Sequence, residues 1–344
     1  MAEAHACFGR LIDVHSHVVP PSFPENPSPG RNSRWPCLTV TAASASLVID
    51  NKPFRDIDSR SWDLERRIED MDRDGVGMQV LSPLPELLSY WFEPGDAVAM
   101  CDHVNGVIAE MVAARPDRFA GLGLAPLQSP DLAAAYLERV KSTFGMAGIE
   151  IGSNIDGVPL GDARFDPVYA AAESLGLAIF VHALHPLATK AIGADATFTA
   201  MAGFPLDTGL AAASLILSGT IERFPALRWS FSHGAGTLGS MLGRLDKGYA
   251  LTKAYGGKLS RRPSEIAGTL FYDSNVYDPD YLRHLVRHTA PGQVHLGTDY
   301  PFALMQTAPF AYLTEAGLDE REFTSLCFGA AEAFLARQVP ERRQ

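Results

Sequence analysis

Residues 148–183 read GIEIGSNIDGVPLGDARFDPVYAAAESLGLAIFVHA, a helical pattern between two short apolar runs. The runs cover 148–153 and 177–183, and the helical pattern covers 165–175. Short continuous apolar runs are typical of parallel strands that are buried on both faces. A strand, a helix and a second strand in this order predict a βαβ unit with two parallel strands.

The same alternation extends in both directions along the chain. Apolar runs lie at 11–17, 78–82, 119–125, 148–153, 177–183, 227–233, 271–277 and 293–299. Helical patterns lie between them at 62–74, 98–114, 130–144, 165–175, 208–223 and 237–251, and a further one covers 281–288. Eight such strands predict an α/β fold, a closed (β/α)8 TIM barrel. A doubly wound open sheet is the alternative, which the lack of a G-x-G-x-x-G motif after the first strand disfavours.

The connection after the first strand is unusually long. Within it, 38–42 and 46–50 favour strands, which predicts a small β insertion over the top of the barrel. A loop of this length in a compact domain is usually functional. We therefore interpret residues 1–344 as a single barrel domain, in which residues 18–61 form an insertion loop over the active site.

Composition excludes several classes of function. Hydrophobic residues make up 47% of the 344 residues, and the net charge is −11 at pH 7. So acidic a protein repels phosphate backbones, so nucleic acid is not expected as a partner. The apolar stretches 177–184 and 210–217 are shorter than the roughly 18–20 residues of a membrane span, so no membrane partner is expected. No signal peptide is recognised, and four scattered cysteines without a C-x-x-C pair favour the cytoplasm and argue against a thiolate zinc site.

Side chains that can do chemistry follow four of the predicted strands. His15 and His17 end the first strand, His182 the fifth, His233 the sixth and Asp299 the eighth. In a TIM barrel the strand ends form the functional face, so these five side chains are expected on one rim. His15 and His17 are two residues apart on a strand, so both rings point to the same side.

Each of these five signals is weak alone, because a lone histidine is usually a satisfied core residue. Together they are hard to explain as packing, since burying so many unpaired polar groups is costly. Three nitrogens and one oxygen suit one Zn²⁺ ion, and Co²⁺, Mn²⁺ or Fe²⁺ fit the same ligand types. Four of the five groups would bind the metal and one would be free for proton transfer, and the residue pattern alone leaves open which.

Longer motifs resemble those of the amidohydrolase superfamily, and within it the 2-amino-3-carboxymuconate-6-semialdehyde decarboxylase family. They span nearly the whole chain and read IDVHSH, NKPFR, RIEDMDRDGVGMQV, IEIGSN, SLILSGTIERFPALRWSFSHGAGTLGSMLGRLD, RRPSE, FYDSNVY and HLGTDYPF. The resemblance implies a barrel with one divalent metal ion on His15, His17, His182 and Asp299. It also implies that His233 is the free acid–base group, and we expect both His233 and Asp299 to be catalytic.

The resemblance carries further implications for the site. Superfamily members with two metals use a carboxylated lysine after the fourth strand, whereas GIEIGSN has no lysine and only one acid, Glu150, which we expect to point into the barrel or to solvent. Arg55 matches a family position that grips a substrate carboxylate. Arg244 matches an arginine that the neighbouring subunit supplies, which implies a homodimer. A guanidinium suits a carboxylate because the two can form paired hydrogen bonds.

Other polar and aromatic residues have less defined roles. His185 is an alternative ligand to His182, disfavoured because the fifth strand leads directly into His182. Tyr90 and Trp91 follow the second strand and either flank substrate or pack. We assign the remaining histidines to surface, packing or barrel-wall positions: His5, His103, His284, His288 and His295.

Three functions remain open from the sequence. The first is a metal-dependent, non-oxidative decarboxylase of an unsaturated or aromatic carboxylic acid, without a redox cofactor, in aromatic catabolism. The second is a metal-dependent hydrolase or hydratase of a ring-cleavage product, and the third is a metal-stabilised binding protein. Two departures from the family pattern bear on the substrate and on packing: residues 185–203 contain no tryptophan, and Ala330 replaces an asparagine.

Overall fold

The structure is a computed structural model that describes residues 7–40, 44–251 and 258–337. Its strands are Leu11–Val18 (β1), Cys37–Val40 (β2), Ala45–Ile49 (β3), Lys52–Ile57 (β4), Val76–Pro83 (β5), Phe119–Gly123 (β6), Gly148–Gly152 (β7), Asn154–Ile155 (β8), Val158–Pro159 (β9), Ala178–His182 (β10), Trp229–Phe231 (β11), Phe271–Asp273 (β12) and Val294–His295 (β13). Eight of them form one parallel sheet in the order β1-β5-β6-β7-β10-β11-β12-β13.

The first and last strands of this sheet meet and close the barrel. The amide of Val14 donates to the carbonyl of Leu296 at 3.0 Å, and Ser16 forms a parallel bridge with Tyr300. The prediction of a (β/α)8 barrel from the eight apolar runs is therefore confirmed. Closure places the carboxyl ends of all eight strands on one rim.

The predicted helices are present with adjusted ends. They are Leu64–Asp74 (α1), Pro94–Ala114 (α2), Pro130–Ser142 (α3), Asp166–Ser174 (α4), Leu187–Ala191 (α5), Ala196–Phe198 (α6), Phe204–Leu217 (α7), Thr220–Arg223 (α8), Leu238–Leu251 (α9), Pro263–Ala267 (α10), Pro279–His284 (α11), Pro309–Glu315 (α12), Glu320–Thr324 (α13) and Ala330–Leu335 (α14). The predicted helix 208–223 is two helices, because Gly219 adopts a left-handed conformation (φ 76°) between α7 and α8.

The β insertion after β1 is confirmed, with one strand more than predicted. Its strands β2, β3 and β4 form an antiparallel sheet. The third strand carries the charged sequence KPFRDI, which lacks the apolar alternation of a typical strand. Arg55 lies on this third strand, within the insertion. Of the predicted segment 38–42, residues 41 and 42 lie outside the described part of the chain.

The last three barrel strands are shorter than their apolar runs. Strands β11, β12 and β13 contain three, three and two residues. The polar residues after them turn away from the sheet instead of extending it. His233 and Asp299 therefore lie on loops beyond the strands, not at the strand ends that the sequence predicted.

Two helical segments, Pro94–Ala114 and Ala196–Leu217, are long and apolar enough to cross a membrane by length and composition alone. The second is longer than the apolar stretch 210–217 identified in the sequence. Core helices of ordinary globular proteins meet the same criterion, because one face packs on a sheet. Helix α2 does so through buried residues such as Met100, Val104 and Ile108.

Candidate active site

Four of the five predicted groups converge at the carboxyl end of the barrel. The ligand atoms of His15, His17, His182 and Asp299 lie within 4.8 Å of one another. His15 Nε2 is 3.1 Å from His17 Nε2, and Asp299 Oδ1 is 3.4 Å and 3.2 Å from these two nitrogens. All three histidines are buried. We call these four residues the ligand cluster.

Each histidine ring of the ligand cluster is oriented through its Nδ1 atom. That atom lies 2.6 Å from Asp273 Oδ2 in His15, 3.0 Å from the Pro83 carbonyl in His17 and 2.9 Å from its neighbour's carbonyl in His182. Carbonyl and carboxylate oxygens only accept hydrogen bonds, so each Nδ1 donates and each Nε2 faces the cluster. This is the arrangement in which a histidine binds a metal ion and is oriented by an outer hydrogen bond.

The donor set fits one divalent cation. His182 Nε2 is buried and has no hydrogen-bond partner among the described residues, which is costly unless an ion satisfies it. Burial lowers the pKa of both His17 and His182, so their lone pairs are free at neutral pH. Burial raises the pKa of Asp299, but the contacts of its carboxylate with the His15 and His17 rings hold that pKa well below its usual range. Neutral nitrogens and one carboxylate match the ligand preference of Zn²⁺ and similar ions.

His15 differs from the other two ligand histidines in its proton affinity. Burial lowers its pKa, but the hydrogen bonds to Asp273 and Asp299 outweigh burial and raise that pKa to about 10. A cation on Nε2 would take the place of the proton there, while Nδ1 keeps its bond to Asp273. Metal binding at such a site releases a proton.

Asp299 reaches the cluster because its loop is bound to the first strand. The residue has a left-handed backbone (φ 63°), and its amide donates to the carbonyl of His15 at 2.8 Å. The preceding Thr298 donates to Asp13 twice, from its amide at 3.0 Å and from its hydroxyl at 2.6 Å. Asp13 also accepts from the His15 amide. Sequence reasoning missed Asp13, although its place two residues before His15 on the same strand was visible.

His233 lies beside the ligand cluster but outside it. Its ring centroid is 5.4 Å from that of His15 and 5.2 Å from that of His182. It occupies the turn Ser232–Ala235, where His233 and Gly234 both have left-handed backbones (φ 56° and 60°). Burial lowers the pKa of His233. A neutral imidazole beside the ligand cluster can accept a proton from a bound substrate and later return it.

The two predicted substrate arginines differ in position. The Arg55 guanidinium lies 4.3 Å over the ring of Phe302, which itself stacks on His17 at 5.3 Å. Burial lowers the pKa of Arg55, and the negative charges of Asp299 and Glu86 partly offset this effect. Arg244 is exposed on α9, and its guanidinium has no hydrogen bond or ion pair with the part of the chain that the structure describes. The structure therefore brings only Arg55 of the two into contact with the surroundings of the cluster.

A second group of side chains consists of Arg34, Glu86, Trp91 and His185. Arg34 and Glu86 belong to no motif that the sequence analysis recognised. Glu86 is buried and bonds Arg34 through one oxygen and His185 through the other, at 2.9 Å in the second case. Trp91 packs on both residues: the Arg34 guanidinium lies 3.8 Å over its ring, and the His185 ring stacks on it at 5.0 Å. His185 thus contacts Glu86 and Trp91 and not the ligand cluster.

The remaining predicted residues lie as follows. The Tyr90 hydroxyl accepts from the Gly152 amide at 3.0 Å within the core, so Tyr90 has a packing role. Glu150 points into the barrel, 3.8 Å from His17 Nδ1, and burial raises its pKa to about 8. His295 is a buried wall residue that contacts Ser230. Of the other histidines, His103 lies on α2, His284 on α11 and His288 in the turn after it, while His5 is outside the described residues.

Comparisons with known proteins agree on one family. A family model described as "Amidohydrolase" matches residues 12–337. The 2-amino-3-carboxymuconate-6-semialdehyde decarboxylase of Dictyostelium discoideum is 34% identical over 304 residues, covering 87% of this chain and 83% of that protein. The Caenorhabditis elegans protein of the same name is 28% identical, covering 86% of each. The crystal structure of 5-carboxyvanillate decarboxylase from Sphingomonas paucimobilis superposes with a TM-score of 0.80 at 28% identity, covering 95% of this chain and 99% of that one.

Proposed function

The chain belongs to the amidohydrolase family, and from that premise we propose that it is a metal-dependent, non-oxidative decarboxylase of an unsaturated or aromatic carboxylic acid. The relatives compared above are decarboxylases of such acids by name. The observation that carries the proposal is a ligand cluster with one further buried histidine, His233, beside it. The enzyme is a carbon–carbon lyase, and its reaction belongs to the breakdown of aromatic compounds.

The ligand cluster is the metal site in this proposal. His15, His17, His182 and Asp299 would hold one divalent ion, which we assign as Zn²⁺, with Co²⁺, Mn²⁺ or Fe²⁺ compatible with the same donors. When bound, the ion supplies positive charge that polarises an oxygen atom of substrate or water. Asp299 is the anionic member of the cluster and so the second residue, after His233, to which we assign a catalytic role.

Arg55 binds the substrate carboxylate. Its half-buried guanidinium lies above Phe302, whose ring stacks on the ligand His17. A carboxylate paired with Arg55 is therefore held close to the cluster. Guanidinium matches carboxylate geometry through two parallel hydrogen bonds.

His233 transfers the proton. Decarboxylation breaks the bond between carbon and the carboxylate, leaves its two electrons on that carbon as CO2 departs, and needs one proton there to form the new C–H bond. His233 is buried and adjacent to the cluster, so a proton on its ring is shielded from bulk water. Its turn fixes the ring on the same rim as the substrate carboxylate.

Arg244 acts in the site of a second copy of the chain, which makes the enzyme a homodimer. The exposed guanidinium, without an ion pair in the described part of its own chain, is available to a partner. In a hybrid of His233→Ala and Arg244→Ala chains, one site inherits both defects and the other neither, so random exchange restores about a quarter of wild-type activity.

The matched control for this mixing experiment pairs His233→Ala with His15→Ala. Both residues act in their own chain, so every site keeps a defect and activity does not return. Absence of recovery in the first mixture, with chain exchange demonstrated by mass spectrometry, would refute the assignment of Arg244 to the partner's site.

Two further assignments complete the proposal. The protein is a single domain of residues 1–344 in which residues 18–61 cover the active site, consistent with the Arg55 and Arg34 contacts described above. It acts in the cytoplasm, since Cys7, Cys37, Cys101 and Cys327 are all free thiols.

The function is tested with a panel of aromatic and unsaturated carboxylic acids in ¹⁸O-labelled water. We expect CO2 release and a product that carries a solvent hydrogen but no retained solvent oxygen. The His15→Ala/His17→Ala double variant serves as the control without a metal site. A hydrated or cleaved product that contains ¹⁸O, without CO2, would establish a hydratase or hydrolase instead.

A further inference from the structure

We propose that Asp273 is a positioning residue that fixes the metal ligand His15 and the acid–base residue His233 with one carboxylate. The inference rests on the roles proposed above for these two histidines. Asp273 is the last residue of β12 and is fully buried. It belongs to the FYDSNVY motif, to which the sequence analysis assigned no chemistry.

One oxygen of Asp273 orients the ligand. Its Oδ2 lies 2.6 Å from His15 Nδ1, the shortest of the three contacts that orient the ligand rings. A carboxylate partner fixes the tautomer and raises the basicity of a metal-binding histidine more than a neutral carbonyl does. His15 is therefore the ligand whose Nε2 depends most on its outer partner.

The approach of Asp273 to His15 requires a glycine between them. Gly297 follows β13, the strand between β12 and β1. A Cβ atom at Gly297 would lie 2.6 Å from the Asp273 Cβ and 2.9 Å from the His15 Cβ, which is closer than such atoms approach. The glycine of the HLGTD motif thus leaves the space in which the carboxylate reaches the ring.

The other oxygen of Asp273 holds the turn of His233. Its Oδ1 accepts from the Gly234 amide at 2.9 Å and from the Asn275 amide at 3.1 Å. The turn has four consecutive residues with a positive φ: His233, Gly234, Ala235 and Gly236. Such a backbone persists only when surrounding contacts hold it. The hydrogen bond from the Gly234 amide to Asp273 is one of the contacts that hold this turn.

The two bonds couple the two histidines. Both oxygens belong to one rigid carboxylate on a short strand. The same side chain therefore holds the His15 ring and the backbone next to His233. The separation of their rings, 5.4 Å between centroids, is thereby set by one side chain. Asp273 is not a member of the ligand cluster, so in this proposal it acts through these two residues.

Asp273→Asn separates the two bonds without changing the shape of the side chain. If the amide oxygen keeps the two backbone donors, its NH2 group faces His15 Nδ1 and opposes the tautomer that binds metal. If the amide flips, the backbone donors lose their acceptor. We expect the dissociation constant for Zn²⁺, measured with the metal alone by competition with a chromophoric chelator, to rise roughly 10–100-fold.

Asp273→Ala removes both bonds and tests the second half of the proposal. At saturating Zn²⁺ we expect its kcat to remain below that of Asp273→Asn, while KM changes little because Arg55 is untouched. The zinc-loaded wild type should also show a strongly deshielded proton on His15 Nδ1 by NMR, and Asp273→Asn should lose it. General loosening of the fold does not produce this signature.

Asp207→Asn is the matched control. Asp207 is also buried, and within the described residues its hydrogen bonds are to Ser153 and Asn154. The zinc affinity of the Asp207→Asn variant should equal that of the wild type. Wild-type zinc affinity in folded Asp273→Asn would overturn the proposal. Since zinc binding is measured without substrate, this outcome is distinct from failure of the decarboxylase assignment, which shows as absence of CO2.

Discussion

The two sides of the barrel hold their polar groups in different ways. On one side His15 and His17 lie within β1 and His182 ends β10, so the hydrogen-bonded strands themselves position the rings. On the other side β11 and β13 are short, and His233 and Asp299 follow them in left-handed turns (φ 56° and 63°). Strand geometry alone cannot place these last two groups.

Buried carboxylates position the two groups, His233 and Asp299, that the strands do not position. Asp13 accepts two hydrogen bonds from Thr298, beside Asp299, and Asp273 accepts one from Gly234, beside His233. The histidine nitrogens of the ligand cluster are therefore placed by the strands, whereas Asp299 and His233 depend on bonds between distant segments. Variants on each side should therefore fail differently.

The largest effect is expected on the side held by strands. The double variant His15→Ala/His17→Ala removes two of the four proposed ligands, while their scaffold, β1, remains intact. Elemental analysis should find almost no divalent metal, against about one ion per chain in the wild type. Activity should be lost with it. Near-stoichiometric metal in the folded double variant would show that the ion binds elsewhere.

Arg55 tests the contribution of the insertion, which belongs to neither side. Arg55→Ala removes a charged hydrogen-bond partner worth about 1.5–3 kcal/mol, so KM should rise roughly 10–150-fold with little change in metal content. The KM of Arg55→Lys should lie between those of the wild type and Arg55→Ala, because lysine keeps the charge but cannot form two parallel hydrogen bonds. Arg66→Ala, an exposed arginine paired with Glu69, is the control and should keep wild-type KM. An unchanged KM in Arg55→Ala would remove Arg55 from the substrate site.

Thr298→Val tests the side held by carboxylates with a smaller effect. The hydroxyl of Thr298 donates to the buried Asp13 at 2.6 Å, and valine has the same shape without the donor. The free energy of unfolding should fall by about 1–3 kcal/mol in denaturant titrations. Thr314→Val on the exposed face of α12 is the control and should change it by less than about 0.5 kcal/mol. Equal effects of the two variants would mean that the Asp13 contact does not hold the Asp299 loop.

The sequence predicts the side held by strands better than the other. The run LIDVHSH ends in two histidines on one face, and AIFVH leads directly into His182, so apolar periodicity located these ligands. Beyond β11 and β13 the apolar runs continue into residues that turn away, which made the predicted strands too long. Periodicity reports burial, and most loop residues directly after these strands are buried as well, although Asp299 is partly exposed.

Partners from distant segments could not be predicted. Asp273 meets His15 across 258 positions of the chain, and Glu86 meets His185 across 99. Single residues such as Arg34 carry no periodic pattern that indicates their partner. The Arg55 strand was missed for another reason, since its charged sequence lacks the apolar alternation by which a strand is recognised.

In this proposal the four groups of the ligand cluster hold the metal ion and His233 does not. The direct measurement is the zinc content of His233→Ala beside that of His182→Ala, each loaded with excess zinc and freed of unbound ion. We predict about one ion per chain in His233→Ala, with activity lowered roughly 10²–10⁴-fold, and loss of the ion in His182→Ala. Loss of zinc from His233→Ala together with retention in His182→Ala would contradict the account, since His233 would then be the ligand and His182 the free group.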